Sequence, residues 1–144
     1  MHITLETDYA IRIVYSLARS GRRTDAKSLS QQTGVTLRFA LKILRKLVAS
    51  GIVRSFKGTQ GGYEIARPLE EITLRDVIET VEGPYAISRC VEKKEDFCCS
   101  NPESGGCGCQ FHDIFADISS MVNEKLEAVR FSDLIAKAKQ EEKT

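Results

Sequence analysis

The 144-residue chain is poor in long apolar runs, in net charge, and in cysteine outside one segment. No eighteen consecutive apolar residues occur, so no stretch is long enough to cross a membrane as a helix. No internal repeat and no long low-complexity run breaks the chain, and its length suits one ordinary domain, or a small domain with an oligomerisation element. No signal-peptide pattern follows Met1, so a reducing cytoplasm is the expected compartment, and structural disulfides are rare there. No base–orienter arrangement accompanies the one Cys/His-rich segment, which argues against an enzyme. The net charge of +1 hides an asymmetry: positions 1–67 carry 12 Lys/Arg against 4 Asp/Glu, and positions 68–144 carry 9 against 16. A basic half of +8 joined to an acidic half of −7 points to a polyanion partner for the first half alone.

All five cysteines fall within CVEKKEDFCCSNPESGGCGCQFH, from Cys90 to His112. The spacing is Cys90-x7-Cys98, the pair Cys98-Cys99, then Cys99-x7-Cys107-x-Cys109, with His112 three residues further on. Between Cys90 and Cys109 only Val91 and Phe97 are large and apolar, while Asn101, Pro102, Gly105, Gly106 and Gly108 favour bends. Such a segment has almost no core of its own and needs another reason to be ordered. A disulfide staple conflicts with the odd cysteine count and the expected compartment. Structural zinc usually takes paired CxxC-type knuckles, which this pattern lacks. Thiolates at wide, irregular spacing suit the separate corners of an iron–sulfur cluster. A bare thiol switch is a further reading. Spacing alone leaves the choice open, with the cluster favoured.

From the N-terminus, apolar residues at Ala10, Ile13, Val14 and Leu17 predict a helix over 5–19 with one buried face, and Asp8 and Arg12 lie on another. Thr24 or Asp25 can cap a second helix that ends at Gly34, and Thr36 can cap a third over 37–49. The expected core stripe of that third helix is Leu37, Leu41, Leu44 and Val48, opposite Arg38, Lys42, Arg45 and Lys46. Two short helices joined by a tight glycine turn read as a helix-turn-helix. A strand over 52–56, the glycine-rich turn 57–62 and a strand over 63–66 follow as a hairpin. A hairpin in this place is a wing, with Arg54 and Lys57 flanking its tip. The order helix, helix, basic helix, hairpin points to double-stranded DNA as the partner. Thr36, Arg38, Phe39, Lys42 and Arg45 are the expected contacts on the third helix, with Lys57, Thr59 and Gln60 on the wing. The expected target is a near-palindromic operator.

Thr73 can cap a further helix over 74–82, stopped by Gly83-Pro84. Beyond the cysteines, Phe111, Ile114, Phe115, Ile118, Met121, Val122, Leu126 and Val129 form one apolar stripe on a helix expected over 110–130. So small a winged domain cannot cover that face, and the expected cover is the same helix of a second copy. A last short helix begins at Phe131, with a tail expected to fray. The expected fold is mostly α: a winged helix-turn-helix DNA-binding domain with a two-stranded wing and a long dimerisation helix. The expected division is 1–84 for DNA binding, 85–109 for the cysteine-rich loop, and 110–135 for the dimerisation helix and C-terminal segment.

LETDYAIRIVYSLA, LRFALKILRKLVASGIVRSFKGTQGGYEIARP, ITLRDVIETVEGP, CQFHDIF and FSDLI together resemble the winged-helix iron–sulfur transcription regulators that include NsrR and IscR. The resemblance covers nearly the whole chain and is most specific in GTQGGY and VEGP. It implies a homodimeric bacterial regulator, bound to a four-iron four-sulfur cluster in preference to a two-iron two-sulfur one, that senses nitric oxide, redox state or iron–sulfur status. The same resemblance implies Cys90, Cys98 and Cys109 as thiolate ligands, with Cys99 and Cys107 as alternates. It offers two fourth ligands: Asp8, supplied across the dimer as in the NsrR-like branch, or His112, as in the IscR-like branch. TDYAIR favours Asp8. The alternative function is a winged-helix regulator whose loop binds zinc or acts as a metal-free thiol switch.

Overall fold

The computed structural model describes residues 3–92 and 109–144. Seven helices and two strands follow one another in it: α1 (Leu5–Ser20), α2 (Ala26–Thr33), α3 (Leu37–Ala49), β1 (Val53–Phe56), β2 (Gly62–Ile65), α4 (Leu74–Glu82), α5 (Arg89–Glu92), α6 (Gln110–Glu127) and α7 (Phe131–Glu141). A short 3-10 turn, Leu69–Glu71, leads into α4. This is the mostly α, winged arrangement that the sequence predicts.

The helix starts are set by capping side chains. Thr4, Asp25, Thr36 and Thr73 each accept a hydrogen bond from the backbone N–H three residues ahead. Thr73 goes further, because Asp76 Oδ2 accepts in return from the Thr73 N–H at 2.9 Å, closing a capping box. Between α2 and α3, Gly34 takes a left-handed conformation with φ of 72°, which sharply turns the chain into α3.

The core lies where α1, α2 and α3 meet the root of the wing. Ala10, Ile13, Val14 and Leu17 of α1 pack there with Leu29, Val35, Ile43, Leu44, Leu47, Ile52 and Val53, all fully buried. On α3 the structure corrects the expected stripe. Ala40, Ile43, Leu44 and Leu47 face the core, whereas Leu37 is exposed and Leu41 and Val48 are half-buried. The helix is apolar along two overlapping stripes that share Leu44, and the stripe through Ala40, Ile43 and Leu47 is the buried one.

β1 and β2 pair antiparallel, with Val53 opposite Ile65 and Phe56 opposite Gly62. Thr24 adds an isolated antiparallel rung beside β2 by pairing with Tyr63, through Thr24 N to Tyr63 O at 2.9 Å and Tyr63 N to Thr24 O at 2.8 Å. Gly62 makes this approach feasible: its φ is 147°, and a Cβ there would lie 2.8 Å from the Thr24 carbonyl oxygen.

The C-terminal helix belongs to the same core. α6 ends at Glu127, short of the expected Arg130, because residues 129–131 turn back along the start of α4. Leu74 N donates to Val129 O at 2.8 Å and Phe131 N donates to Ile72 O at 3.0 Å, framing a Thr73–Arg130 bridge. Phe131 is fully buried in the main core, and α7 packs along α1. The tail expected to fray is helical through Glu141 and is tied at its end by an ion pair between Arg19 and Glu142.

Candidate functional site

The exposed side of α3 is the first element of the site. Arg38, Lys42 and Arg45 are exposed, each displaced from the core stripe. Arg38 and Arg45 form no ion pair among the described residues. Thr36 caps the helix, placing the first-turn N–H groups and Arg38 at one end. Phe39 is exposed and packs edge-on against Tyr9, ring centroids 6.0 Å apart. Lys42 and Lys46 are engaged by a carboxylate. Both converge on Glu6 of α1, at 3.1 and 2.8 Å, and the Lys46 hydrogen bond holds the Glu6 carboxyl below its ordinary range.

The wing is the second element. Lys57, Thr59 and Gln60 are exposed at its tip, where Gly61 N closes the turn onto Gly58 O at 3.0 Å. Arg54, expected to flank the tip, is exposed and pairs with Glu64 across the hairpin at 2.9 Å. Arg23, which sequence reasoning passed over, braces the tip instead. Its guanidinium lies 3.3 Å from the Phe56 ring centroid and donates to the Gln60 carbonyl at 3.2 Å. The one sequence signal was the Arg22-Arg23 pair just before the rung at Thr24.

The third element is the pair of roots of the cysteine segment. Cys90 is buried at the start of α5, its Sγ 3.1 Å from Ser88 Oγ. Cys109 is half-buried and occupies the N-cap position of α6. Cys98, Cys99 and Cys107 lie outside the described residues. α5 packs against α6, and the chain leading to it is fastened there. Ile87 N donates to the buried Ser119 Oγ at 3.0 Å, and Asn123 Nδ2 donates to Tyr85 O at 3.2 Å. Ser119, another residue not singled out from sequence, thus holds the root of the segment onto α6.

The two candidate fourth ligands have different surroundings. Asp8 is half-exposed on α1 and pairs with Arg12 at 2.9 Å. His112 is half-buried in the first turn of α6, its Nδ1 buried without a hydrogen-bond partner among the described residues. No group of three or more metal-ligating side chains is assembled among the described residues. The donor set of soft thiols with one harder oxygen or nitrogen donor suits cluster iron.

Along α6, Phe111, Ile114 and Met121 are 69, 53 and 62 % exposed, and Ser119 is its one buried residue. A helix of 18 residues, about 27 Å long at 1.5 Å per residue, therefore presents apolar side chains at Phe111, Ile114 and Met121 that no other described residue covers. No helix among the described residues is long and apolar enough to cross a membrane.

The family model described as Rrf2, iron-dependent transcriptional regulator, matches residues 3–137. The chain is 34% identical over 109 residues to protein aau3 of Rhizobium meliloti, across 75% of this chain and 69% of that protein. It is 25% identical over 107 residues to the HTH-type transcriptional regulator NsrR of Bacillus subtilis, across 73% of each. Among solved structures it is similar to CymR, the global cysteine regulator of B. subtilis, with a TM-score of 0.75, 23% identity, and 95% and 98% of the two chains covered. The T. potens IscR structure gives a TM-score of 0.70 at 20% identity, covering 96% of this chain and 88% of that one. These likenesses to solved structures establish the winged-helix fold. Winged fold, exposed basic helix and family match agree, and the chain belongs to the Rrf2 family of transcriptional regulators, DNA-binding proteins rather than enzymes.

Proposed function

We propose that this regulator's operator affinity is controlled by an iron–sulfur cluster, four-iron four-sulfur in preference to two-iron two-sulfur. Its ligands are Cys90, Cys98 and Cys109 of one subunit and Asp8 of the partner subunit. The observation that carries the reading is that Cys90 and Cys109 stand at the two roots of the cysteine segment on helices that pack together. A bound cluster would supply a group that reacts with nitric oxide, oxygen or a change of redox state, and Asp8, a harder donor than thiolate, would hold it less firmly than the cysteines.

The chain's own residues transmit that state. Cys90 follows directly from the link between α4 and α5, and Ser119 and Asn123 pin this link to α6. Glu82, the last residue of α4, accepts hydrogen bonds from the Thr4 N–H at 3.1 Å and from the Thr4 and Thr7 hydroxyls. The first turn of α1 is therefore tied to the end of α4 next to the cysteine segment, and Asp8 lies on the turn that follows. A change at the cluster shifts the angle between the two winged units, with a coupling of about 1–3 kcal/mol, ordinary for such linkage.

Two copies join through the apolar face of α6, which sets two α3 helices against successive major-groove half-sites of a near-palindromic operator. Thr36, Arg38, Phe39, Lys42 and Arg45 meet that groove and its phosphates, and Lys57, Thr59 and Gln60 meet the minor groove or backbone. In this reading 1–84 binds DNA, 85–109 holds the cluster and 110–135 dimerises.

The test compares operator affinity of the anaerobic parent, Cys90→Ala and Arg38→Glu. Cys90→Ala should lose stable cluster and shift to the affinity of the cluster-free parent. Arg38→Glu should keep the cluster and lose operator binding. A Cys90→Ala protein that binds operator as the cluster-loaded parent does would leave a zinc-bound or metal-free thiol-switch regulator as the better account.

A further inference from the structure

We propose that Glu6 is a specificity-determining residue of the DNA interface. Its carboxylate holds Lys42 for one orientation at the exposed face of α3 and keeps this cation from pairing indiscriminately with backbone phosphate. The proposal rests on the reading of α3 as the helix that meets DNA.

Two lysines share the Glu6 carboxylate, but they do different things. Lys46 is 36 % exposed, meets Glu6 Oε1 at 2.8 Å and also lies 3.5 Å from the Val81 carbonyl, so it points inward and links α3 to α1 and α4. Lys42 is 56 % exposed and meets Glu6 Oε2 at 3.1 Å. It lies four residues after Arg38, on the same face of α3. Its Nζ is also 5.9 Å from the Phe39 ring. Carboxylate and ring together restrict a side chain that otherwise has many rotamers.

The carboxylate itself is anchored. Thr4 caps α1, and Thr4 and Thr7 on either side of Glu6 are both bound by Glu82 of α4. Glu6 therefore sits on a fixed first turn. The outer face of α3 thus carries two guanidiniums with no ion pair among the described residues, Arg38 and Arg45, and one ammonium already matched to a carboxylate.

Binding to DNA of arbitrary sequence is almost wholly a matter of cations finding phosphates. A phosphate that takes Lys42 must displace Glu6 and then lies beside its negative charge. At a matched site, Lys42 keeps Glu6 as its partner and presents its remaining donors to a base edge, its orientation settled in advance. Glu6 therefore penalises non-specific binding while sparing the operator.

The test uses the full-length chain prepared anaerobically, an operator duplex selected by the parent from a random pool, and a fixed non-operator duplex. Glu6→Gln keeps the side-chain size and removes the charge. On non-operator DNA the slope of log affinity against log salt should steepen by about 0.9, the signature of one added phosphate contact. Affinity there should rise about tenfold in ~0.1 M salt, while operator affinity changes little, so the specificity ratio falls about tenfold. Adding Lys42→Gln to Glu6→Gln should abolish the gain. The proposal is overturned if slope and affinity on non-operator DNA stay at the parent values. It is equally overturned if the gain survives in the double variant, or if both duplexes lose affinity together with thermal stability, which would make Glu6 only a strut between helices. Arg38→Gln, measured alongside, separates the two levels. If it binds operator as the parent does, the reading of α3 is at fault; if it loses operator while Glu6→Gln is silent, only the role of Glu6 falls.

Discussion

Phe131→Ala tests whether the C-terminal helix is structurally part of the DNA-binding unit. Phe131 is fully buried, packs in the same core as α1 and α3, and sits beside the backbone bridge that returns the chain from α6 to α4. Removing a buried phenyl ring leaves a cavity and costs about 3–5 kcal/mol. That is a large share of the roughly 5–15 kcal/mol that holds a domain folded. For a chain of this size the thermal midpoint should fall on the order of 10 °C. The assay is thermal unfolding followed by circular dichroism at one fixed protein concentration, because association shifts the apparent midpoint by mass action. Lys137→Ala, on the exposed side of α7, should stay within about 0.5 kcal/mol of the parent. A Phe131→Ala cost below about 1 kcal/mol, no larger than an average substitution, would refute the placement of α7 in the core.

Three further outcomes follow from particular contacts. Ile118→Lys with Val122→Lys should give monomers in sedimentation, since both half-buried residues adjoin the exposed Ile114 and Met121 on α6; a double variant that remains dimeric would put the interface elsewhere. Asp8→Ala should keep fold and dimer but shorten cluster lifetime under oxygen or chelator, whereas His112→Ala should behave as the parent; the reverse result would make His112 the fourth ligand. The Ser28 hydroxyl, then its backbone N–H, holds the Asp25 carboxyl below its ordinary range, so this cap stabilises fully above about pH 4 and is lost as pH falls through the lowered folded value. The stability difference between the parent and Asp25→Ala, measured by denaturant unfolding, should therefore be present at neutral pH and narrow on acidification below about pH 4.

Much of this molecule was legible because its helix boundaries are written in local chemistry. Thr36 and Thr73 cap, Gly34 turns, and the order of α1, α2, α3 and hairpin follows from those signals. The misreadings arose where tertiary contacts decide. Nothing in the sequence near Glu127 breaks a helix, and Leu126 and Val129 continue its period; the break comes from pairing with Ile72 and Leu74, far away in the chain. The true core face of α3 was ambiguous because Leu37, Leu41 and Val48 form an equally apolar stripe beside Ala40, Ile43 and Leu47. The cation cluster on α3 was legible as a cluster, but the restraint on Lys42, which sets it apart from Arg38 and Arg45 among the described residues, depends on Glu6, which the fold brings in from another helix. Among the expected thiol ligands, Cys90 and Cys109 are placed at the roots of their segment, and Cys98 lies outside the described residues.

The central claim, control of DNA binding by an iron–sulfur cluster, is most directly tested by one titration. The full-length protein is purified without oxygen, its iron, sulfide and zinc are measured with its visible spectrum, and operator affinity is followed as the cluster is removed stepwise by chelator. The account predicts a brown protein with equal iron and sulfide, and an operator affinity that changes in proportion to cluster lost, by about 5–150-fold for a coupling of ~1–3 kcal/mol. A colourless protein containing zinc or no metal, or a brown one whose operator affinity is the same with and without its cluster, would contradict it.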